Sequence, residues 1–171
     1  MRKQTVKVKT GMGKRILVGI IISIVLCLAL AGCWMLYHYE RPFVPPEFEE
    51  NAKEGVPEVE ESLNYGTVTA PTGFSIGLCG TMYQQEDGSL IVNLTNPETN
   101  TVNIQCEVKD KTGNTLYKSG VIEPGEYLEK LTPLVELKQE AVPIEISVYG
   151  YEIDTWYSKG TIMLDNTLQP Y

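Results

Sequence analysis

Two hydrophobic patterns divide the chain. Residues 16–37, ILVGIIISIVLCLALAGCWMLY, run apolar without a charge, whereas from residue 72 onward apolar and polar positions alternate in short runs between turn residues. As a helix, the 22-residue run measures about 33 Å and spans a hydrocarbon core of roughly 30 Å. Period-two alternation belongs to half-buried strands. The first pattern predicts a transmembrane anchor and the second a β domain.

Within the β region, 74–83 places Phe74, Ile76, Leu78 and Met82 on one face and ends at the turn Glu86-Asp87-Gly88. Leu90, Val92 and Leu94 share a face of the next run, and Asn96-Pro97-Glu98-Thr99-Asn100 is a turn by composition. Val102, Ile104, Cys106 and Val108 then alternate with Asn103, Gln105 and Glu107. A strand over 115–118 leads into turn-rich 119–125. Further strands fall near 127–131, around Ile144, Ile146 and Val148, and over 161–164, while 133–142 alternates poorly. About seven strands and no second helix predict an all-β fold, a single antiparallel sandwich of immunoglobulin-like or fibronectin-III-like type.

Charge fixes the expected topology. Residues 1–15 form a basic tail with six Lys or Arg and no acid, so with a net charge of −8 for the whole chain the remainder carries −14. Cations next to an apolar span stay on the cytoplasmic side. The tail is therefore expected in the cytoplasm, bound to anionic lipid, and the C-terminal domain outside the cell. A domain of that charge repels phosphate backbones, which excludes nucleic acid as a partner.

Between anchor and domain, 38–71 reads as an acidic Pro/Glu linker. Eight glutamates against Arg41 and Lys53 favour a disordered, extended stalk. Inside the anchor, Leu30-Ala31-Gly32-Cys33 opens a second fate. It resembles the lipobox of bacterial lipoproteins, in which the chain is cut before the cysteine and Cys33 is acylated. Against cleavage stand the apolar residues after Cys33 and the aromatic belt of Trp34, Tyr37 and Tyr39. Either fate leaves the domain outside.

The segments Asn96-Pro97-Glu98-Thr99-Asn100 and Leu116-Tyr117-Lys118-Ser119-Gly120-Val121-Ile122-Glu123-Pro124-Gly125 resemble those of small Gram-positive membrane-anchored surface proteins. These carry one Ig-like extracellular domain with an NPxxN turn and a YxSGxIxPG segment. The resemblance spans roughly residues 90–151 and the general layout. It implies a fold and an envelope location, and no activity.

Chemistry-bearing residues are sparse. His38 is the sole histidine, at the membrane boundary, and no nucleophile–base pair, phosphate-cradling glycine loop or metal-ligand spacing occurs in the sequence. Neither catalysis nor a cofactor or metal is expected. Cys79 and Cys106 would lie in an oxidising compartment. Cys106 shares the apolar face of its strand, whereas Cys79 lies opposite Ile76 and Leu78. A Cys79–Cys106 disulfide thus needs a bulge at Gly77 or Gly80, and two free thiols are the default.

The candidate binding surface is aromatic. Alternation that buries Ile146 and Val148 puts Tyr149 and Tyr151 on the other face, with Trp156 and Tyr157 in the loop beyond. The competing reading is a bulge at Gly150 that returns both tyrosines to the core. Exposed together, these residues would contact another envelope protein or stack on cell-wall glycan.

Overall fold

In the computed structural model the described residues are 11–37, 43–138 and 140–170. The first ten residues of the basic tail and residues 38–42 of the expected linker, His38 included, lie outside them. The chain divides into two units, before and after the Val44–Pro45 bond. The apolar run is one helix, α1 (Gly11–Tyr37), which starts before the run and takes in Lys14 and Arg15. Every side chain from Ile16 to Met35 is exposed within its unit. A long apolar helix near the N-terminus fits a single-pass anchor or a signal sequence.

The second unit is β. Its strands are β1 (Lys53–Glu54), β2 (Tyr65–Thr69), β3 (Ser75–Cys79), β4 (Met82–Gln84), β5 (Leu90–Asn96), β6 (Val102–Asp110), β7 (Thr115–Ile122), β8 (Glu126–Leu131), β9 (Val142–Glu152) and β10 (Ser158–Pro170). They form one curled sheet in the order β1-β8-β5-β4-β10-β9-β6-β7, with β3 also paired to β5 and β2 to β3. Short β4 joins the two halves. It meets β5 at Gln84 and Leu90 and runs parallel to β10 from Met82–Leu168 to Gln84–Pro170.

The alternation read from sequence fills the space between the halves. Phe74, Ile76, Leu78, Leu90, Leu94 and Leu128 pack from one side, and Ile104, Val108, Ile122, Ile144, Ile146 and Val148 from the other, in a single cluster. Each such side chain contributes about 1.5–3 kcal/mol on full burial.

Three expectations are corrected. The sheet has ten strands rather than about seven, and it is mixed rather than antiparallel. A break at Gly80-Thr81, where 74–83 leaves β3 in one half and enters the other half as β4, adds one strand and the parallel pairing with β10, and the expected linker adds β1 and β2. The expected turn at 119–125 begins only after Ile122, because Gly120 is a strand residue. A Cβ there would stand 2.7 Å from the backbone of Glu49.

That contact belongs to the third correction. Much of the expected linker is part of the β unit. Val121 N–H donates to the Glu47 carbonyl (2.9 Å), Glu49 N–H to the Val121 carbonyl (2.8 Å), and Gly120 N–H to the Glu49 carboxylate (2.7 Å). Lys53 and Glu54 then pair with β8, and β2 pairs with β3. Composition read these residues as solvated. Backbone bonding to a sheet edge, which composition does not encode, holds them.

The NPxxN turn clasps the two halves. Asn96, fully buried at the end of β5, donates through Nδ2 to the carbonyls of Val102 and Ile122, both at 2.9 Å. Asn100 Nδ2 donates to Asn96 Oδ1 and to the Ser75 carbonyl, both at 2.6 Å, while Ser75 N–H donates to Asn100 Oδ1 (3.0 Å). Gly125 N–H donates to the Asn96 carbonyl (2.8 Å). Asn96→Ala removes the side-chain donor to two buried carbonyls and the acceptor of Asn100 Nδ2, and a buried group left unpaired costs about 1–3 kcal/mol. Denaturant unfolding of the detergent-solubilised chain should therefore show a loss of roughly 2–5 kcal/mol, whereas Asn51→Ala on the exposed strap should change little.

Candidate functional site

The outer face of β6, β7 and β9 holds the aromatic group. The β6–β9 register runs unbroken from Val102–Glu152 to Asp110–Ile144, so no bulge forms at Gly150. Gly150 continues the inward series instead and makes room for Phe74. A Cβ on it would meet the Phe74 ring at 2.8 Å. Tyr149 and Tyr151 consequently stay on the outer face, half-buried.

Their surroundings differ. The Tyr149 hydroxyl donates to Glu107 Oε2 (3.1 Å), which also pairs with Lys109 Nζ (2.8 Å), and Thr115 Oγ1 donates to Glu107 Oε1 (2.9 Å). Burial alone would raise the Glu107 pKa, but these hydrogen bonds outweigh it and hold the carboxyl below its usual range. Tyr149 is thereby tied into a polar network.

Tyr151 instead packs against Trp156, ring centroids 6.2 Å apart at 50°, and Trp156 meets Phe48 edge-on at 6.0 Å and 63°. Val121 and Asn103 are fully buried although they point away from the main core, and both lie on the strand face that carries these rings.

Trp156 sits in the β9–β10 turn in a left-handed conformation, φ 61°. That conformation costs a bulky residue on the order of 1–3 kcal/mol, so the surrounding structure must impose it. Two bonds do so directly: Trp156 N–H donates to the Glu152 carbonyl and Glu152 N–H to the Tyr157 carbonyl, both at 2.9 Å. Glu152 is further held by Thr155 and by Lys159 (2.9 Å). Tyr157 itself is 73% exposed and Phe48 51%. A hollow of about 490 Å³ opens beside Phe48, lined by Pro46, Glu49, Gln105, Lys118 and Leu134.

Of the four residues read from the sequence, the structure thus joins Tyr151 to Trp156, ties Tyr149 to Glu107 and leaves Tyr157 exposed. It adds Phe48, hidden in the sequence within an acidic stretch. A lone aromatic in PPEFEE was the signal.

Cys79 and Cys106 are free thiols. The β2–β3 register is unbroken across Gly77, so Cys79 keeps its outward parity. There it lies beside Asn93 Nδ2 (3.3 Å), while Cys106 points into the core from the other half. Burial pushes the Cys106 thiol up to about 12 and raises that of Cys79, partly offset by the Asn93 hydrogen bond. Cys33 is exposed on α1. Among the described residues no group of three or more His, Cys, Asp or Glu side chains is placed to hold a metal ion.

Comparison with protein-family models, curated proteins and solved structures finds no match in any of the three.

With both thiols buried and protonated, iodoacetamide at pH 8 should leave Cys79 and Cys106 unmodified in the folded chain and alkylate both after denaturation, as read by peptide mass spectrometry. Recovery of a Cys79–Cys106 linked peptide would contradict this arrangement.

Proposed function

We propose that the chain is a membrane-anchored, non-catalytic interaction module of a Gram-positive cell envelope, an Ig-like domain held outside the membrane to contact another envelope protein. The carrying observation is the Phe48–Trp156–Tyr151 group, set by a left-handed tryptophan and flanked by exposed Tyr157. Backbone strain clusters at functional sites, here at a half-buried aromatic between exposed Phe48 and Tyr157, and aromatic anchors dominate protein interfaces.

The strand order supports the Ig-like reading. With β3 and β4 as a first strand A divided between the halves, β5, β6, β7, β8, β9 and β10 correspond to B, C, C′, E, F and G. Strands A, B and E then share one half and C′, C, F and G the other, as in Ig-type sandwiches. The six cations before the apolar helix and the −14 charge after it support an outside location. Retention of the helix as a spanning anchor is favoured by the apolar run continuing through Trp34 and Met35, past Cys33.

A protein partner is favoured over wall glycan by the ring angles. Sugars stack on a broad exposed aromatic face, whereas these rings meet edge-on and tilted, a ridge suited to a shaped apolar pocket.

Photo-crosslinkers placed at Phe48 and at Tyr157 in intact cells should give a discrete adduct, absent from Glu86 on an exposed turn and lost when Trp156→Ala is added. Adducts indifferent to Trp156, or Trp156-dependent co-sedimentation with purified wall glycan, would overturn the protein-partner reading. Intact-mass measurement of the membrane-extracted chain should show no cleavage before Cys33. Loss of the first 32 residues with added acyl mass would transfer the anchor from helix to lipid.

A further inference from the structure

The sheet's exposed edges are treated unequally. Along β7 and β8 the backbone of residues 47–55 occupies the edge, through Glu47 and Glu49 on Val121 and through Lys53 and Glu54 on β8. Strand β2 pairs with β3 alone.

Which β2 groups are free follows from the ladder. Ala70 N–H donates to the Phe74 carbonyl (2.8 Å) and Gly80 N–H to the Asn64 carbonyl (3.0 Å), in the same register as the intervening pairs Tyr65–Cys79 to Thr69–Ser75. Hydrogen-bonded pairs recur every second residue in an antiparallel ladder, so Gly66 and Val68 bond to β3. The N–H and C=O groups of Tyr65, Thr67 and Thr69 face outward, and among the described residues no backbone group meets them.

This edge lacks the usual protection: YGTVT has no charge, proline or bulge, and Gly66, Thr67 and Thr69 are exposed. Just before it stand Glu58, Glu60 and Glu61, none in an ion pair with a described residue. The unit as a whole carries −14, which disfavours a second copy as the occupant and favours a basic one.

We propose that β2 accepts an extended segment of a partner protein, paired antiparallel to Tyr65, Thr67 and Thr69, with lysines or arginines at its C-terminal end facing Glu60 and Glu61. Antiparallel addition continues the pairing of β2 with β3 and of β3 with β5, and brings the incoming strand's C-terminus to the acidic side. Affinity comes from main-chain bonds along the edge, and preference from the flanking charge. The inference is independent of the aromatic ridge, which stands on β6 and β9.

The test uses the full chain in detergent micelles and a short synthetic peptide of alternating threonine and valine ending in lysines. Hydrogen exchange at Thr67 and Thr69 should slow about tenfold at a peptide concentration about ten times its Kd. The same peptide ending in glutamates, or N-methylated at alternate amides, should give no protection at that concentration. Thr67→Pro should abolish binding while leaving thermal unfolding unchanged, because the Thr67 N–H is not part of the β3 ladder. Trp156→Ala should bind the peptide as the wild type does.

Protection by the N-methylated peptide, unchanged exchange with the lysine peptide, or equal binding by lysine and glutamate peptides would overturn the proposal. Protection that instead rises with protein concentration and needs no peptide would assign the edge to a second copy.

Discussion

The fold depends on how two half-sheets are joined at the point where their strands end inside the protein. The carbonyls of Val102, at the start of β6, and Ile122, at the end of β7, lie buried near the seam, where polar groups need hydrogen-bond partners. The single amide of Asn96 serves both, and its own oxygen accepts from Asn100. Asn100 in turn grips both backbone groups of Ser75 on β3. One short turn therefore fixes the positions of β3, β5, β6 and β7. Neither a hydrophobic residue nor a lone serine supplies that set of donors and acceptors, which explains why two asparagines occupy the turn's ends.

The second motif closes the same structure from the other side. Tyr117 is fully buried with its hydroxyl donating to the Gly88 carbonyl (3.0 Å). Ser119 Oγ accepts from Cys106 N–H (2.8 Å), Gly120 admits Glu49, and Ile122 enters the core. Once Gly120 leaves space for the chain beside it, residues 47–49 can lie against β7 and shield an edge that would otherwise present unpaired amides. The strap is thus a consequence of one missing Cβ. It also carries Phe48 to Trp156, so edge protection and the aromatic ridge have one origin.

Much of this was legible in the sequence, and the failures share a cause. Period-two alternation located β3, β5, β6, β8 and β9, whereas for Tyr149 and Tyr151 it left outward parity and a Gly150 bulge both open, and the unbroken β6–β9 register excludes the bulge. The parity argument at Cys79 likewise anticipated the separation of the two thiols. What alternation did not reveal were contacts made by backbone alone. Residues 47–55 bind through carbonyls and amides, which every residue possesses, so their acidic side chains read as solvated linker. β2 is short and carries only Val68 toward the core, too little for a periodic signal. The parallel pairing of β4 with β10 joins residues more than eighty positions apart, beyond any local pattern.

The two recognisable motifs consequently say little about function, for a physical reason. Their asparagines, serine, tyrosine and glycines are buried, bonded or sterically confined, and a side chain so constrained has no free surface to offer a partner. On the proposed reading, recognition falls to residues the motifs leave out. Those that remain are Phe48 and Tyr157, exposed beside half-buried Trp156, on one half and the outward amides of Tyr65, Thr67 and Thr69 on the other. The first set offers apolar surface under imposed geometry, the second unsatisfied main-chain groups beside unpaired glutamates. They call for different partner chemistries, an apolar pocket and a basic extended strand, and the two surfaces stand on opposite half-sheets.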